Sequence, residues 1–245
     1  PESFVEAIED EDIEPLDLDL NTSFNFLIFG QMTGNTSEND RKNIFNTVKW
    51  LCEVFKDDPS VGIILKTNQG TGTRIDRNLT KRTVSGMIES MRDGPYPRIH
   101  VLHGNMTSEE VAGLYRRKDI KCMVSLTRGE GYGLPLLEAS ASGLPVMVTN
   151  WSGHLDFMKK GKFIPIDFKM KEIDKSRVDN RIFLNGMMWA EASEKDFKDK
   201  VLKFRKKPDM PKEWALELSE KIKNSLSQSE ICKKYDRALK RVIGI

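Results

Sequence analysis

Residues 121–149 read KCMVSLTRGEGYGLPLLEASASGLPVMVT, and this stretch decides the fold. KCMVSL (121–126) is a short apolar run of the kind that forms a buried strand. A turn follows with glycines at 129, 131 and 133. PLLEASAS (135–142) then reads as a helix: Pro135 suits its first position and Gly143 ends it. PVMVT (145–149) is a second apolar run. Strand, turn, helix and strand in so short a span make a βαβ unit, which belongs to a parallel sheet.

The alternation extends both ways. Upstream, FNFLIFG (24–30) reads as a buried strand ending in glycine. Asn39 or Asp40 is placed to cap a helix running to about Phe55, with Ile44, Val48, Leu51 and Phe55 on one face. VGIILK (61–66) is the next strand, followed by a loop over 67–79 and a helix over about 80–92. RIHVLHG (98–104) is the third strand. Thr107 and Glu110 form a capping box for a helix that turns Val111, Leu114 and Tyr115 inward. Downstream, SGHLDFMKK (152–160) reads as a helix, KFIPI (162–166) as a sixth strand and 167–192 as irregular. Helical stretches over about 193–206, 211–226 and 229–242 close the chain, with Pro208 and Pro211 separating the first two. The expected fold is α/β: a Rossmann-like doubly wound parallel sheet with a helical carboxyl-terminal tail.

Composition narrows the function class. At 245 residues, 38% hydrophobic and 31% charged, the chain can bury a core and is not disordered. It has no apolar run of about 18 residues, so no transmembrane helix is expected. The start PESFVEAIEDED is acidic, unlike a signal peptide. Cys52, Cys122 and Cys232 are far apart and odd in number, which argues against a disulfide framework or a cysteine zinc site. A reducing, cytoplasmic location is the expectation, with the inner face of a membrane as an option. The net charge of +2 hides an asymmetry. The first 20 residues hold nine acids and no Lys or Arg, so residues 21–245 carry 39 cations against 28 acids, a net of +11. An acidic linker or arm (1–22) thus precedes a basic body, read as a domain over 23–205 with helices over 206–245 packing on or extending from it. A basic body suits an anionic ligand as well as a plainly solvated surface. The basic tail around Lys203–Lys207 and Lys233–Arg241 fits either a peripheral membrane contact or solvent. Asp17-Leu18-Asp19 matches a metal-binding Asp-x-Asp pattern but lies outside the sheet and reads as coincidence.

Open parallel sheets bind ligands at the carboxyl ends of their strands, near the switch in strand order. The end at Leu126 is the richest: TRGEGYGLPLLE (127–138) sets three glycines before a helix N-terminus, a place where free amides attract anions. It also sets two acids, Glu130 and Glu138, beside that anion site. Carboxylates do not grip phosphate; they grip neutral hydroxyls, with charge-assisted bonds of roughly 1.5–3 kcal/mol. Phosphate and hydroxyls together describe a nucleotide sugar.

The stretch from Glu130 to Glu138, followed by ASASGLPV, resembles the Glu-x7-Glu motif of the retaining, family-4-type glycosyltransferases of GT-B fold, the glycosyl transferases group 1. The order of parts is similar too: a Gly-ended first strand, a Lys near the first helix, a strand–HG–TSEE–helix unit, SG after the fifth strand and Trp189-Ala190-Glu191. The resemblance covers about 24–205 and implies the carboxyl-terminal, donor-binding domain of such an enzyme. It implies that Glu138 holds the nucleotide ribose and Glu130 the transferred sugar. The amides of Gly131, Tyr132, Gly133 and Leu134 would approach sugar and diphosphate. Lys42 would neutralise the diphosphate, with Arg41 as a substitute, because Gln31 stands after Gly30 where the family has an Arg. Arg128 is a further donor contact or a surface charge. Ser152 and Gly153 open a helix after the fifth strand and read as a plain helix start, with an anion contact as the alternative, and Lys66, the 68–73 loop, His103 and His154 likewise read as structural. The resemblance implies no nucleic-acid partner, no cofactor and no required metal. It also implies an amino-terminal acceptor domain or partner chain with no counterpart here, to which the last helix would cross. A non-catalytic nucleotide-sugar-binding module is the alternative. An NAD-binding enzyme is disfavoured, since no G-x-G-x-x-G follows the first strand.

Overall fold

The computed structural model describes residue 7 and residues 12–70 and 72–243. Six parallel strands form the main sheet: β1 (Phe24–Phe29), β2 (Val61–Lys66), β3 (Arg98–Leu102), β4 (Ile120–Ser125), β5 (Val146–Thr149) and β6 (Ile164–Ile166). Their order is β3-β2-β1-β4-β5-β6. Order reverses between β1 and β4, so the crevice expected of a doubly wound sheet lies at the carboxyl ends of those two strands.

β1 and β2 are apolar almost throughout because both of their faces are covered. Alternate side chains enter two cores. Phe26, Ile28, Ile63 and Leu65 pack with Val48 and Leu51 of α1 (Ile44–Val54) and with Phe197, Val201 and Phe204 of α6 (Glu194–Lys206). Leu27, Ile64 and Met123 pack on the other face. There they meet Leu114 of α3 (Ser108–Arg116), Leu136 of α4 (Leu134–Ala141), and Leu218 and Ile222 of α7 (Asp209–Leu226). Each such side chain contributes about 1.5–3 kcal/mol when fully buried.

Helix starts follow caps rather than the apolar period. α2 (Arg74–Met91) begins six residues before the expected position, because Thr73 and Asp76 form a capping box. α1 begins later than its candidate caps suggest. Asp40 is wholly buried, and its carboxylate accepts the Ile44 amide (2.7 Å) across a left-handed Asn43 instead of starting a helix beside itself. α5 (Leu155–Met158) is a single turn. α7 takes Pro211 into its first turn, where its missing N–H costs nothing.

The segment 167–192 is not irregular. β7 (Phe168–Glu172) and β8 (Met188–Ala192) pair antiparallel, joined through a short 3₁₀ turn at Lys175–Arg177. α8 (Gln228–Ile243) closes the chain with no buried residue. No described helix is long and apolar enough to cross a membrane. Of the acidic leader, residues 1–6 and 8–11 lie outside the described residues. Its later part lies on α3: the Leu16 amide donates to the Gly113 carbonyl (3.0 Å), and Arg117 donates to the carbonyls of Leu16 (2.5 Å) and Leu18 (3.1 Å).

Candidate functional site

The switch between β1 and β4 brings two loops together. One runs from Gly30 to Asn43 after β1; the other runs from Leu126 to Gly133 after β4. Asp40 organises the first. Its Oδ1 accepts the Thr33 amide (2.9 Å) and hydroxyl (2.7 Å) and the Lys42 amide (3.2 Å), while its Oδ2 caps α1. The loops are stitched by main chain, with the Arg128 amide donating to the Arg41 carbonyl (2.9 Å).

Lys42, Arg41 and Glu130 meet at this seam. The Lys42 ammonium donates to Glu130 Oε1 at 2.6 Å, Arg41 lies 3.5 Å from Oε2, and the Thr127 hydroxyl donates to Oε1 at 2.9 Å. Burial alone would raise the Glu130 carboxyl, but the Lys42 bond and charge, Arg41 and Thr127 outweigh it and hold it below the usual range. The main chain of Glu130 is clamped as well. Ser152 Oγ accepts its amide (2.7 Å) and donates to its carbonyl (2.6 Å). Ser152 does this at φ 94°, a left-handed conformation that a non-glycine residue keeps only under such constraint. Beside it, a Cβ on Gly153 would stand 2.0 Å from the Gly131 carbonyl oxygen, so the approach of the two loops requires glycine there.

Gly133 caps α4 at φ 85°, with no side-chain cap on the helix N-terminus. Gly131 is exposed, and no atom lies within 4 Å of where its Cβ would be. Tyr132 and Leu134 are exposed at the mouth, the Tyr132 ring resting edge-on against Phe157 at 5.3 Å. Gly30 sits under the Lys42 stem, 3.8 Å from Cβ position to Cδ, and Gln31 is exposed beyond it. A crevice of about 420 Å³ opens beside Glu130, between Arg41, Gly131 and Ser152 on one side and Ile182, Phe183 and Met187 on the other.

Glu138 differs from all of these. It lies on α4, half-buried, and its carboxylate has no hydrogen-bond or ion-pair partner among the described residues. Burial pushes it up to about 7. Tyr115, buried on α3, feels its charge.

Arg128 stands apart from the group. Its side chain is 1% exposed. Nε and Nη2 grip Glu191 at 3.0 and 2.9 Å, Nη1 donates to the Asp40 carbonyl at 2.7 Å, and the guanidinium lies over Trp189 at 4.8 Å. The structure therefore turns it inward as a bolt between β8 and the Asp40 loop, not outward as a surface charge, and it lines the same crevice as Arg41 and Glu130. The sequence alone does not show this role, nor the part of Asp40 in holding the Thr33 loop, nor Thr127. The Trp-Ala-Glu at 189–191 was the available signal. Lys66 is buried and donates to Asn68 (3.2 Å) and to the Gly104 carbonyl. His154 is buried, with Nε2 2.8 Å from the Thr149 carbonyl.

The family profile described as "Glycosyl transferases group 1" matches residues 96–224, more than half of the chain. The chain belongs to the glycosyl transferases group 1 family. Solved structures agree on the fold. One is the C-terminal domain of a glycosyl transferase group 1 family protein, LpcC, from Francisella tularensis (14% identity, TM-score 0.58), aligned over 88% of this chain and 96% of that one. Another is sucrose-phosphate synthase from Thermosynechococcus elongatus (12% identity, TM-score 0.60), over 95% of this chain and 50% of that one. A third is a mutant TarM from S. aureus in complex with UDP and other ligands (17% identity, TM-score 0.57), over 92% of this chain and 37% of that one. The chain thus spans an isolated group 1 C-terminal domain but only half or less of the two longer enzymes. No curated protein matches it by sequence.

Proposed function

We propose that this chain is the donor-binding domain of a retaining glycosyltransferase, which moves a sugar from a nucleoside-diphosphate sugar to an acceptor. The observation that carries the reading is the pairing, across one turn, of a wired carboxylate with a partnerless one: Glu130 held by Lys42 and Arg41, and Glu138 with no partner among the described residues. In this reading Glu138 receives the ribose hydroxyls. Lys42, Arg41 and the amides at the start of α4 receive the diphosphate, and Glu130 with the Gly131 amide contacts the sugar. Gly30 leaves room for the ligand beside Lys42, Gln31 stands at the rim, and Tyr132, Gly133 and Leu134 form the turn that the diphosphate crosses. Arg128 acts indirectly, by fixing the Asp40 loop that carries Arg41 and Lys42.

Catalysis would rest on positioning and on stabilising the departing diphosphate. Cations and helix amides would offset its charge, so the reaction needs no metal. No internal nucleophile is assigned: the acceptor attacks on the face from which the diphosphate leaves. The acceptor site would come from a further domain or a partner chain, a reading supported by the share of the longer enzymes that this chain spans. The same coverage supports a second reading, a nucleotide-sugar-binding module without turnover of its own. Calorimetric titration with the uridine, guanosine and adenosine diphosphates and their sugars tests the donor assignment. Binding of none of them overturns it. Donor hydrolysis by the chain separates enzyme from module.

A further inference from the structure

At the opposite end of the sheet from the crevice lies a larger groove. It opens at the amino ends of the strands, beside Phe24 of β1, Ile120 of β4 and Pro145 before β5, and encloses about 890 Å³. Its walls carry seven cations and a single acid, Asp209. Some of these cations are committed: Arg117 pairs with Asp119 at 2.7 Å and Arg205 with Asp58 at 3.3 Å. Lys118, Lys121, Lys206 and Lys212 have no ion-pair partner among the described residues.

Two of these lysines, Lys121 and Lys212, line the groove together. The Lys212 ammonium is drawn against the Gly143 carbonyl (2.6 Å), and that desolvation, together with the Lys121 charge, lowers it from the ordinary lysine value. Among the described residues, Lys121 donates to the Lys118 carbonyl alone (2.5 Å). Like charges set close in a partly dehydrated groove oppose folding unless an anion joins them. The edge of the groove adds a further positive pole. α7 starts there, at Pro208 and Asp209, with no side-chain cap on its first turn.

The geometry points to a second anion site in this groove, for a ligand carrying two or more closely spaced phosphate charges. Ammonium groups on separate elements (β4, α6 and α7, with Lys118 before β4) surround a volume that fits a small phosphorylated molecule or headgroup. This site is independent of the donor reading, since it shares no residue with it.

Tripolyphosphate titrated into the chain tests it. The second site should lose affinity by about tenfold or more in Lys121→Glu/Lys212→Glu, at low salt, and keep it in Lys42→Ala. Lys118→Glu/Lys121→Glu, which spares the Gly143 contact, should act in the same direction. Circular dichroism confirms that the variants are folded. Flotation with phosphatidylcholine vesicles containing phosphatidic acid, against phosphatidylcholine alone, separates the sources. Binding of those vesicles that either variant abolishes assigns the phosphates to a lipid headgroup, and tripolyphosphate binding without vesicle binding assigns them to a soluble ligand. If both variants bind both probes as the unmodified chain does, or the unmodified chain binds neither, the site is overturned.

Discussion

Glu130 and Glu138 are the same side chain eight residues apart, and the molecule treats them oppositely. Glu130 is tied at both ends: Lys42, Arg41 and Thr127 hold its carboxylate, and Ser152 holds its main chain. Its ionised form is favoured. Glu138 is half-buried on a helix, without a hydrogen-bond or ion-pair partner among the described residues, and burial raises it to about 7. A carboxylate that the protein supports in advance is preorganised for a fixed task. One left without partners at a cost in solvation is suited to a ligand that supplies the missing donors.

The largest expected effect falls on the bolt that keeps the first region in place. Arg128→Ala should lower stability by about 3–5 kcal/mol, because it leaves Glu191 unpaired and a void under Trp189. Denaturant unfolding measures this. A loss under about 1 kcal/mol would mean that Arg128 is not what sets the Glu130 side of the comparison.

Lys42→Ala comes next. It removes the main partner of Glu130 and, in the proposed reading, the principal phosphate cation. Nucleoside diphosphate should bind about 1.5–3 kcal/mol more weakly, with the nucleoside itself little changed. Equal losses for both, by calorimetry, would detach Lys42 from the phosphates.

The smallest effect sharpens the Glu138 side. Its folded pKa of about 7 lies above the ordinary carboxylate value of 4.5. Its contribution to stability is therefore fully present below 4.5 and is lost as pH rises through about 7. Glu138→Gln should remove that decline and be the more stable protein at pH 8, by about 1 kcal/mol or less once solvent access is allowed for. Parallel melting curves across that range would show the decline unchanged if the carboxyl titrates normally.

Much of this was legible in the chain itself. FNFLIF, VGIILK and KCMVSL are apolar because both sheet faces are covered, and such runs read as strands without further help. The Gly-rich turn with its two acids pointed to the crevice, since glycine spacing before a helix start is a local signal. What escaped reading depends on distant partners. Arg128 looks like a surface charge until Glu191, 63 residues on, closes over it. Asp40 reads as a helix cap, which it is, but its second task of holding the Thr33 loop shows only once that loop folds onto it. The β7–β8 hairpin hid because Lys169 and Lys171 alternate with only Phe168 and Met170, and Met170 itself is exposed, so its apolar pattern is weak.

One double cycle tests Glu138 as the ribose acceptor directly. Whichever nucleoside diphosphate binds is titrated alongside its 2′,3′-dideoxy analogue into the unmodified chain and into Glu138→Ala. If Glu138 holds the ribose, removing either the hydroxyls or the carboxylate costs about 2–4 kcal/mol and removing both costs little more. Additive losses, or a Glu138→Ala variant that binds with unchanged affinity, would contradict it.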